Sequence, residues 1–247
     1  MTTDLHNPRV GSGAGRTHTA EELRQLAAAG AASLGARATA DEVLAWLADA
    51  VGTRVVVACS MADGVLPHLV SQHLPGVDVL FLDTGYHFVE TRVTRDEVAQ
   101  QLDVTVVDVL PDLSLAEQAA AHGPDLFARD PALCCAIRKM DPLAKALGHY
   151  DAWVTGVRRE ESPTRTSTPL ISFDERHDLI KVNPLAAWSF DDLIAYAGQH
   201  AVPLNLLLSQ GYPSIGCEPC TRPVAPGADP RSGRWAGLTK TECGIHT

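Results

Sequence analysis

The chain has 247 residues, 45% of them hydrophobic, and a formal net charge of −10 from 30 acidic and 20 basic side chains. That balance leaves no general basic face for nucleic-acid phosphates, and no segment approaches the roughly 18 uninterrupted apolar residues of a membrane helix, so neither nucleic acid nor membrane is expected as a partner. The opening "MTTDLHNPRVGSGAGR" lacks the apolar region of a secretory signal, which predicts a cytoplasmic protein whose six cysteines stay reduced and act as ligands or nucleophiles.

Residues 1–18, rich in Gly, Ser, Thr and Asn, predict a disordered arm ahead of one α/β domain over 19–224. Thr19 with Glu22 and Thr39 with Glu42 have the capping-box spacing ahead of two Ala/Leu-rich helices, the second closed by Gly52. Then the periodicity changes. "RVVVACS" (54–60), "VDVLFLD" (77–83), "VTVVDVL" (104–110) and "AWVTG" (152–156) are apolar throughout, as strands covered on both faces must be. Helical segments over 64–74, 87–101, 114–122 and 131–148 alternate with them, the last opening on Asp130 as N-cap and Pro131 at the first helical position. Alternation of this kind predicts a parallel, doubly wound sheet flanked by helices. Further on, "LISF" and "DLIKV" predict a hairpin and 189–200 a helix. A Gly/Pro-rich stretch begins at 211, with 225–247 expected as a mobile tail.

Such sheets bind ligands beyond the carboxyl ends of their strands. Three loops lie there: "CSMADG" after the first strand, "LDTGYH" after the second and "GVRREESPTRTSTP" after the fourth. Ser60 and the amides of the first turn can hold one phosphate, but the loop has neither the lysine nor the glycine spacing of a polyphosphate grip. Asp83 and Thr84, followed by Gly85, end an apolar strand, where a carboxylate is badly placed for a core and well placed for a ribose or base. Arg158, Arg159 and Arg165 share one loop, and "DPRSGRW" adds Arg231 and Arg234. Guanidinium groups match the oxygen fork of sulfate and phosphate, so these clusters suggest a dianionic ligand. Pairing of Arg158 and Arg159 with Glu160 and Glu161 is the plainer alternative for that part of the loop.

Two cysteine couples stand out, Cys134–Cys135 in "ALCCAIRKM" and Cys217–Cys220 in "GCEPC". Together they make four thiols, the number a tetrathiolate site needs. Zinc prefers couples separated by two to four residues, whereas the irons of a cubane let adjacent cysteines on one helix reach different metals; the pattern therefore favours a [4Fe–4S] cluster over structural zinc. Cys59, at a strand end, is a small buried hydrophobe without an assigned role. Cys243, in the terminal "TECGIHT", is either accidental or a nucleophile delivered by a moving tail, with Gly244 freeing the backbone and His246 favouring the thiolate.

"CCAIRKMDPL", "GCEPC" and "TECGIH", with "LDTG" and "RREESPTR", resemble the assimilatory sulfonucleotide reductases, in particular the iron–sulfur adenylyl-sulfate reductases of bacteria, from about residue 40 to the C-terminus in family order. The resemblance implies an adenine-nucleotide α-hydrolase-like fold related to the PP-loop pyrophosphatases. It implies reduction of adenosine 5′-phosphosulfate to sulfite and AMP with electrons from thioredoxin. On this chain Cys243 would be the nucleophile, joined by His246 and Lys139. Cys134, Cys135, Cys217 and Cys220 would hold one [4Fe–4S] cluster, with Lys139 between cluster and sulfate. Ser60, Asp83, Thr84, Gly85, Arg158, Arg165, Arg231 and Arg234 would bind substrate. Many members read Ser-x-Gly-Ala-Glu-Asp after the first strand where this chain has the shorter "SMADG". Reduction of the 3′-phosphorylated nucleotide, PAPS, is the alternative reading. A homo-oligomer is compatible with the sequence.

Overall fold

The computed structural model describes residues 16–236 together with 240, 242, 244 and 245. Its elements run α1 Ala20–Leu34, α2 Ala40–Val51, β1 Val55–Ala58, α3 Val65–Ser71, β2 Val77–Leu82, α4 Val89–Gln101, β3 Val104–Val109, α5 Leu115–His122, α6 Leu126–Arg129, α7 Pro131–Cys135, α8 Asp141–Leu147, β4 Ala152–Thr155, β5 Ile171–Asp174, β6 Leu179–Val182 and α9 Phe190–His200. Both expected capping boxes form. The Thr19 hydroxyl accepts from the Glu22 amide while the Glu22 carboxylate accepts from the Thr19 amide, and Thr39 and Glu42 repeat the exchange. The arm expected over 1–18 ends earlier than its composition suggests. Arg16 donates to the carbonyls of His177 and Asp178 at 2.7 and 2.9 Å, and the Thr17 hydroxyl to Asp151 at 2.6 Å, so polar side chains tie 16–18 to the domain without any apolar anchor.

The strands form one six-stranded sheet in the order β3-β2-β1-β4-β6-β5. All neighbours are parallel except β5 against β6, the hairpin expected beyond residue 170. Val57 pairs with Val79 on one side and Val154 on the other, and all three are completely buried, which is why these runs carry no polar alternation. Trp153, Leu80, Leu179 and Ile180 extend the same core; each such side chain contributes on the order of 2 kcal/mol on burial.

Two helices depart from expectation. The segment expected over 64–74 stops at Ser71, because Pro75 disfavours helical backbone at Leu74. The helix expected over 131–148 is divided: α7 passes into a π-helical turn at Ala136–Met140 before α8. Pro142 has no amide to donate to the carbonyl of Arg138, and the chain widens so that the Asp141 amide reaches Ala136 instead. The turn carries Arg138 and Lys139.

Candidate functional site

The first strand order reversal lies between β1 and β4, and a cavity of about 220 Å³ opens there beyond the ends of β1, β2 and β4. Ser60, Lys139, Arg158, Arg165, Arg231 and Arg234 all border it. Asp63 borders it too, its carboxyl pushed up by burial, and the neighbouring Cys59 thiol is raised to about 12 by burial and by the charge of Asp63. A thiol so high is inert at neutral pH.

The arginines differ in how they are held. Arg158 is nearly buried, with guanidinium nitrogens 3.8 Å from Glu160 and 3.7 Å from Glu161, so the ion-pairing reading of this loop applies to it even though it faces the cavity. Arg159 donates from Nε to the Thr168 carbonyl at 2.9 Å and is not among the residues bordering the cavity. Arg165 donates from Nη1 to Glu161 at 2.6 Å and from Nε and Nη2 to Glu242 at 3.1 and 2.9 Å. Arg231 also donates to Glu242, at 2.9 Å, and to the Ser214 hydroxyl at 3.4 Å. Arg234 reaches the same Ser214 hydroxyl at 3.3 Å and lies over the Trp235 ring. An antiparallel bridge, Thr221 with Arg234, holds this segment against the second cysteine couple. Gly216 lies beneath it, and a β-carbon there would lie 2.2 Å from Nη2 of Arg234, so any side chain at 216 would push the guanidinium out of its present place. The Nε atoms of Arg158 and Arg234 are buried without a hydrogen-bond partner among the described residues. Unsatisfied guanidinium donors on a cavity wall are what a polar or anionic ligand would complete.

Next to this cavity lies a second, bordered by Tyr86, Phe127, Cys134, Cys135, Cys217 and Cys220. The start of α7 is capped by Asp130, whose carboxylate accepts from the Leu133 amide at 2.9 Å, and this fixes the first couple. The second couple is docked on the loop after β2: the Glu218 amide donates to the Tyr86 carbonyl at 2.7 Å, and the Thr84 hydroxyl lies 3.3 Å from the Cys217 sulfur. Burial and the three neighbouring thiols raise Cys134 to about 12. Burial also pushes Cys217 upward, but Lys139, which hydrogen-bonds it, together with Thr84 and Arg234, brings its thiol below the ordinary value. No three His, Cys, Asp or Glu side chains among the described residues close on a single ion. The four thiols instead surround a shared space, an arrangement whose donor chemistry fits a cluster with several metal atoms. Lys139 and Arg234 border both cavities.

The loop after β2 is divided between the two cavities, with Tyr86 bordering the thiols and His87 the larger one. Asp83, Thr84 and Gly85, expected at the substrate, are not among the residues bordering the 220 Å³ cavity. Asp83 caps the Gly85 amide at 3.0 Å and stands 3.4 Å from Arg92, and Thr84 is fully buried beside Cys217. Gly85 adopts φ +76°, the conformation its turn needs. Cys243 and His246 lie outside the described residues. Of their neighbours, Ile245 borders the larger cavity, Glu242 accepts from Arg165 and Arg231 on its wall, and Arg176 donates to the Gly244 carbonyl at 3.1 Å.

Sequence reasoning missed Glu242, Ser214 and Asp63, all single polar residues beside more conspicuous ones, and it named Glu161 only as a partner of Arg158 and Arg159, not of Arg165. It also left Arg138 unassigned, although this side chain is 4% exposed and ties the two halves of the thiol site together, donating to the carbonyls of Thr84 and Leu113 and to Gln118. A basic pair on consecutive residues beside thiols was the available signal, because two adjacent helical side chains cannot face the same way.

The mostly parallel sheet flanked by helices, with an arginine-lined cavity at its switch point, has an adenine-nucleotide α-hydrolase-like fold of the PP-loop-related kind. Residues 54–223 match the phosphoadenosine phosphosulfate reductase domain, and the chain belongs to that family, the sulfonucleotide reductases. Adenosine 5′-phosphosulfate reductase of Rhodococcus opacus is 55% identical over 238 residues, which cover 92% of this chain and 96% of that one. The protein of the same name from Mycolicibacterium smegmatis is 55% identical over 230 residues, covering 93% and 97%. Among solved structures, phosphoadenylyl-sulfate (PAPS) reductase from Candida auris, in a phosphate complex, superposes with a TM-score of 0.64 at 27% identity over 85% of this chain and 100% of that one. No helix among the described residues is long and apolar enough to cross a membrane.

Proposed function

We propose that this chain is an oxidoreductase of sulfate assimilation that reduces adenosine 5′-phosphosulfate to sulfite and AMP in the cytoplasm, with thioredoxin as reductant. The observation that carries this reading is the adjacency of the two cavities, one with Arg158, Arg165, Arg231 and Arg234 on its wall and one with four thiols, with Lys139 and Arg234 belonging to both.

In the proposed reaction the Cys243 thiolate attacks the sulfate sulfur. The S–Sγ bond forms as the bond from that sulfur to the bridging oxygen breaks, and the electron pair leaves with the phosphate of AMP. Arg231, Arg234 and Lys139 face the charge that builds on the leaving phosphate and on the sulfate oxygens. His246, three residues beyond the nucleophile, favours its thiolate form. One thiol of reduced thioredoxin then attacks the Cys243 sulfur and expels sulfite, and its second thiol resolves the mixed disulfide; the dithiol supplies both electrons. The C-terminal segment that carries Cys243 closes to deliver the thiol and opens to meet the protein reductant, whereas Arg231 and Arg234, tied to Ser214 and Thr221, stay on the cavity wall. Cys134, Cys135, Cys217 and Cys220 would hold a [4Fe–4S] cluster, which when bound would supply an electrostatic environment beside Lys139 rather than the reducing equivalents.

Anaerobic incubation of the purified chain with adenosine 5′-phosphosulfate, read by intact mass, tests the reading. A sulfonate-sized adduct is expected on the natural chain and none on Cys243→Ser, which should still bind the nucleotide. Brown protein with iron and acid-labile sulfide is expected from metal analysis; zinc without sulfide would refute the cluster. Faster adduct formation with PAPS than with adenosine 5′-phosphosulfate would reverse the choice of substrate.

A further inference from the structure

Glu242 has no role in the reaction described above, yet its carboxylate is one of the most heavily engaged groups in the site. One oxygen accepts from Nε of Arg165 at 3.1 Å and from the Thr164 hydroxyl at 3.3 Å, and the other accepts from Nη2 of Arg165 and from Arg231, both at 2.9 Å. The Nε and Nη2 edge of Arg165 is the fork through which a guanidinium meets a sulfate or phosphate in bidentate fashion. Its remaining nitrogen, Nη1, is taken by Glu161 at 2.6 Å. While Glu242 is in place the Nε–Nη2 edge of Arg165 is filled and Glu161 draws on Nη1, so an oxyanion cannot use that fork. Burial opposes ionisation of Glu242, but the hydrogen bonds and charges of Arg165 and Arg231 outweigh it, so its carboxyl lies below the usual range and is ionised at neutral pH.

The contact also belongs to a segment with other attachments. Lys240 lies 5.6 Å over the Trp235 ring, Arg176 holds the Gly244 carbonyl, and Ile245 packs on the core at the cavity wall. In sequence, Glu242 immediately precedes Cys243.

We propose that Glu242 is a displaceable counter-charge: its carboxylate docks on the Arg165–Arg231 pair, the seat that the charged end of the nucleotide also needs, so carboxylate and oxyanion contend for the same two guanidinium groups. Entry of the oxyanion displaces the carboxylate from the fork, and return of the carboxylate favours release of the product anion. The site is thus never left as a bare cluster of cations, and the residue before the nucleophile exchanges places with the group on which the nucleophile acts. That the oxyanion is the nucleotide's rests on the function proposed above; the contest for the arginines does not.

The test uses the full chain with Glu242→Gln and Glu242→Asp, and Glu21→Gln as a control that removes the same charge on the exposed face of α1, where it pairs with Arg24. Binding of adenosine 5′-phosphosulfate is measured by calorimetry in a Cys243→Ser background without reductant. Removing a competitor that fills its own site should tighten Glu242→Gln binding about fivefold to tenfold, while Glu242→Asp stays near the parent and Glu21→Gln changes less than about twofold. Trypsin cleavage after Lys240 in the nucleotide-free protein should be faster in Glu242→Gln, and addition of the nucleotide to the parent should speed it likewise. Unchanged or weaker nucleotide binding in Glu242→Gln would overturn the contest for the arginines. Absence of any adduct on the parent would instead refute the nucleophile assignment, and the binding and cleavage results would still decide whether Glu242 docks the segment.

Discussion

Replacing Lys139 by Met should slow transfer to Cys243 far more than it weakens nucleotide binding. The ammonium hydrogen-bonds the Cys217 sulfur on one side and borders the arginine-lined cavity on the other, and the π-helical turn is what aims it between them. A hydrogen bond to a charged group contributes about 1.5–3 kcal/mol. If that interaction strengthens as the phosphate leaves, its loss at about 1.4 kcal/mol per decade predicts a single-turnover rate roughly 10-fold to 150-fold lower. The nucleotide dissociation constant should change by less than about threefold, because the arginines supply most of the ground-state charge. Rapid quench with intact-mass detection of the Cys243 adduct gives the rate, and calorimetry the affinity. Lys139→Arg should recover part of the rate, since it keeps the charge but not the compact donor geometry. A Lys139→Met rate within twofold of the parent would refute the reasoning. So would a dissociation constant that weakens by the same factor as the rate, since Lys139 would then bind substrate and transition state alike.

Arg138→Met should act on stability rather than chemistry. Removing the guanidinium leaves the carbonyls of Thr84 and Leu113 and the Gln118 amide oxygen without their donor in a buried site, at about 1–3 kcal/mol for each that stays unsatisfied, so urea denaturation should show a loss of about 3–5 kcal/mol; less than 1 kcal/mol would mean that water replaces the donor. Acid should loosen the helix starts. The capping carboxylates Glu22, Glu42, Glu117 and Asp192 all have folded values held below their ordinary 4.5 or 3.8 by hydrogen bonds from Thr19, Thr39, Ser114 and Ser189. Their contribution is complete above those ordinary values and is lost as pH falls through the lower folded ones, so the melting temperature should be flat from pH 7 to about 5 and fall below it. A melting temperature that holds to pH 3 would contradict the capping argument.

The parts of the fold that were legible in the sequence were those set by local chemistry. Capping boxes at Thr19 and Thr39, the apolar runs of the sheet and the Asp130–Pro131 helix start depend on a few neighbouring residues, and each formed as expected. The division of the helix after Cys135 was not read, although Pro142 was in view, because a proline inside a helical segment is compatible with a stop, a kink or a widened turn. The convergence of Cys134, Cys135, Cys217 and Cys220 was legible from their number and adjacency. Placing Asp83, Thr84 and Gly85 at the nucleotide followed the rule for strand ends, but that rule names a loop, not the direction in which each side chain leaves it. In this loop the turn at Gly85 directs Thr84 to the thiols and leaves Asp83 with Arg92.

The charge distribution explains why carboxylates were the residues most easily missed. A chain of net charge −10 concentrates Lys139, Arg158, Arg165, Arg231 and Arg234 around one cavity, where without counter-charges they would repel one another through a medium less screening than water. The strain shows in Arg231, whose guanidinium is pushed below its ordinary value by burial and by Arg165 despite the opposing charge of Glu242. Glu161 and Glu242 relieve it by sharing Arg165 between them. A carboxylate fixed on a rigid loop would do this permanently and so oppose every anion that entered. Glu161 is of that kind, placed in the loop after β4. Glu242 is attached to the chain terminus, so the counter-charge it provides can be withdrawn when an oxyanion arrives, and a cavity built from like charges is stable when empty yet keeps its affinity for a dianion.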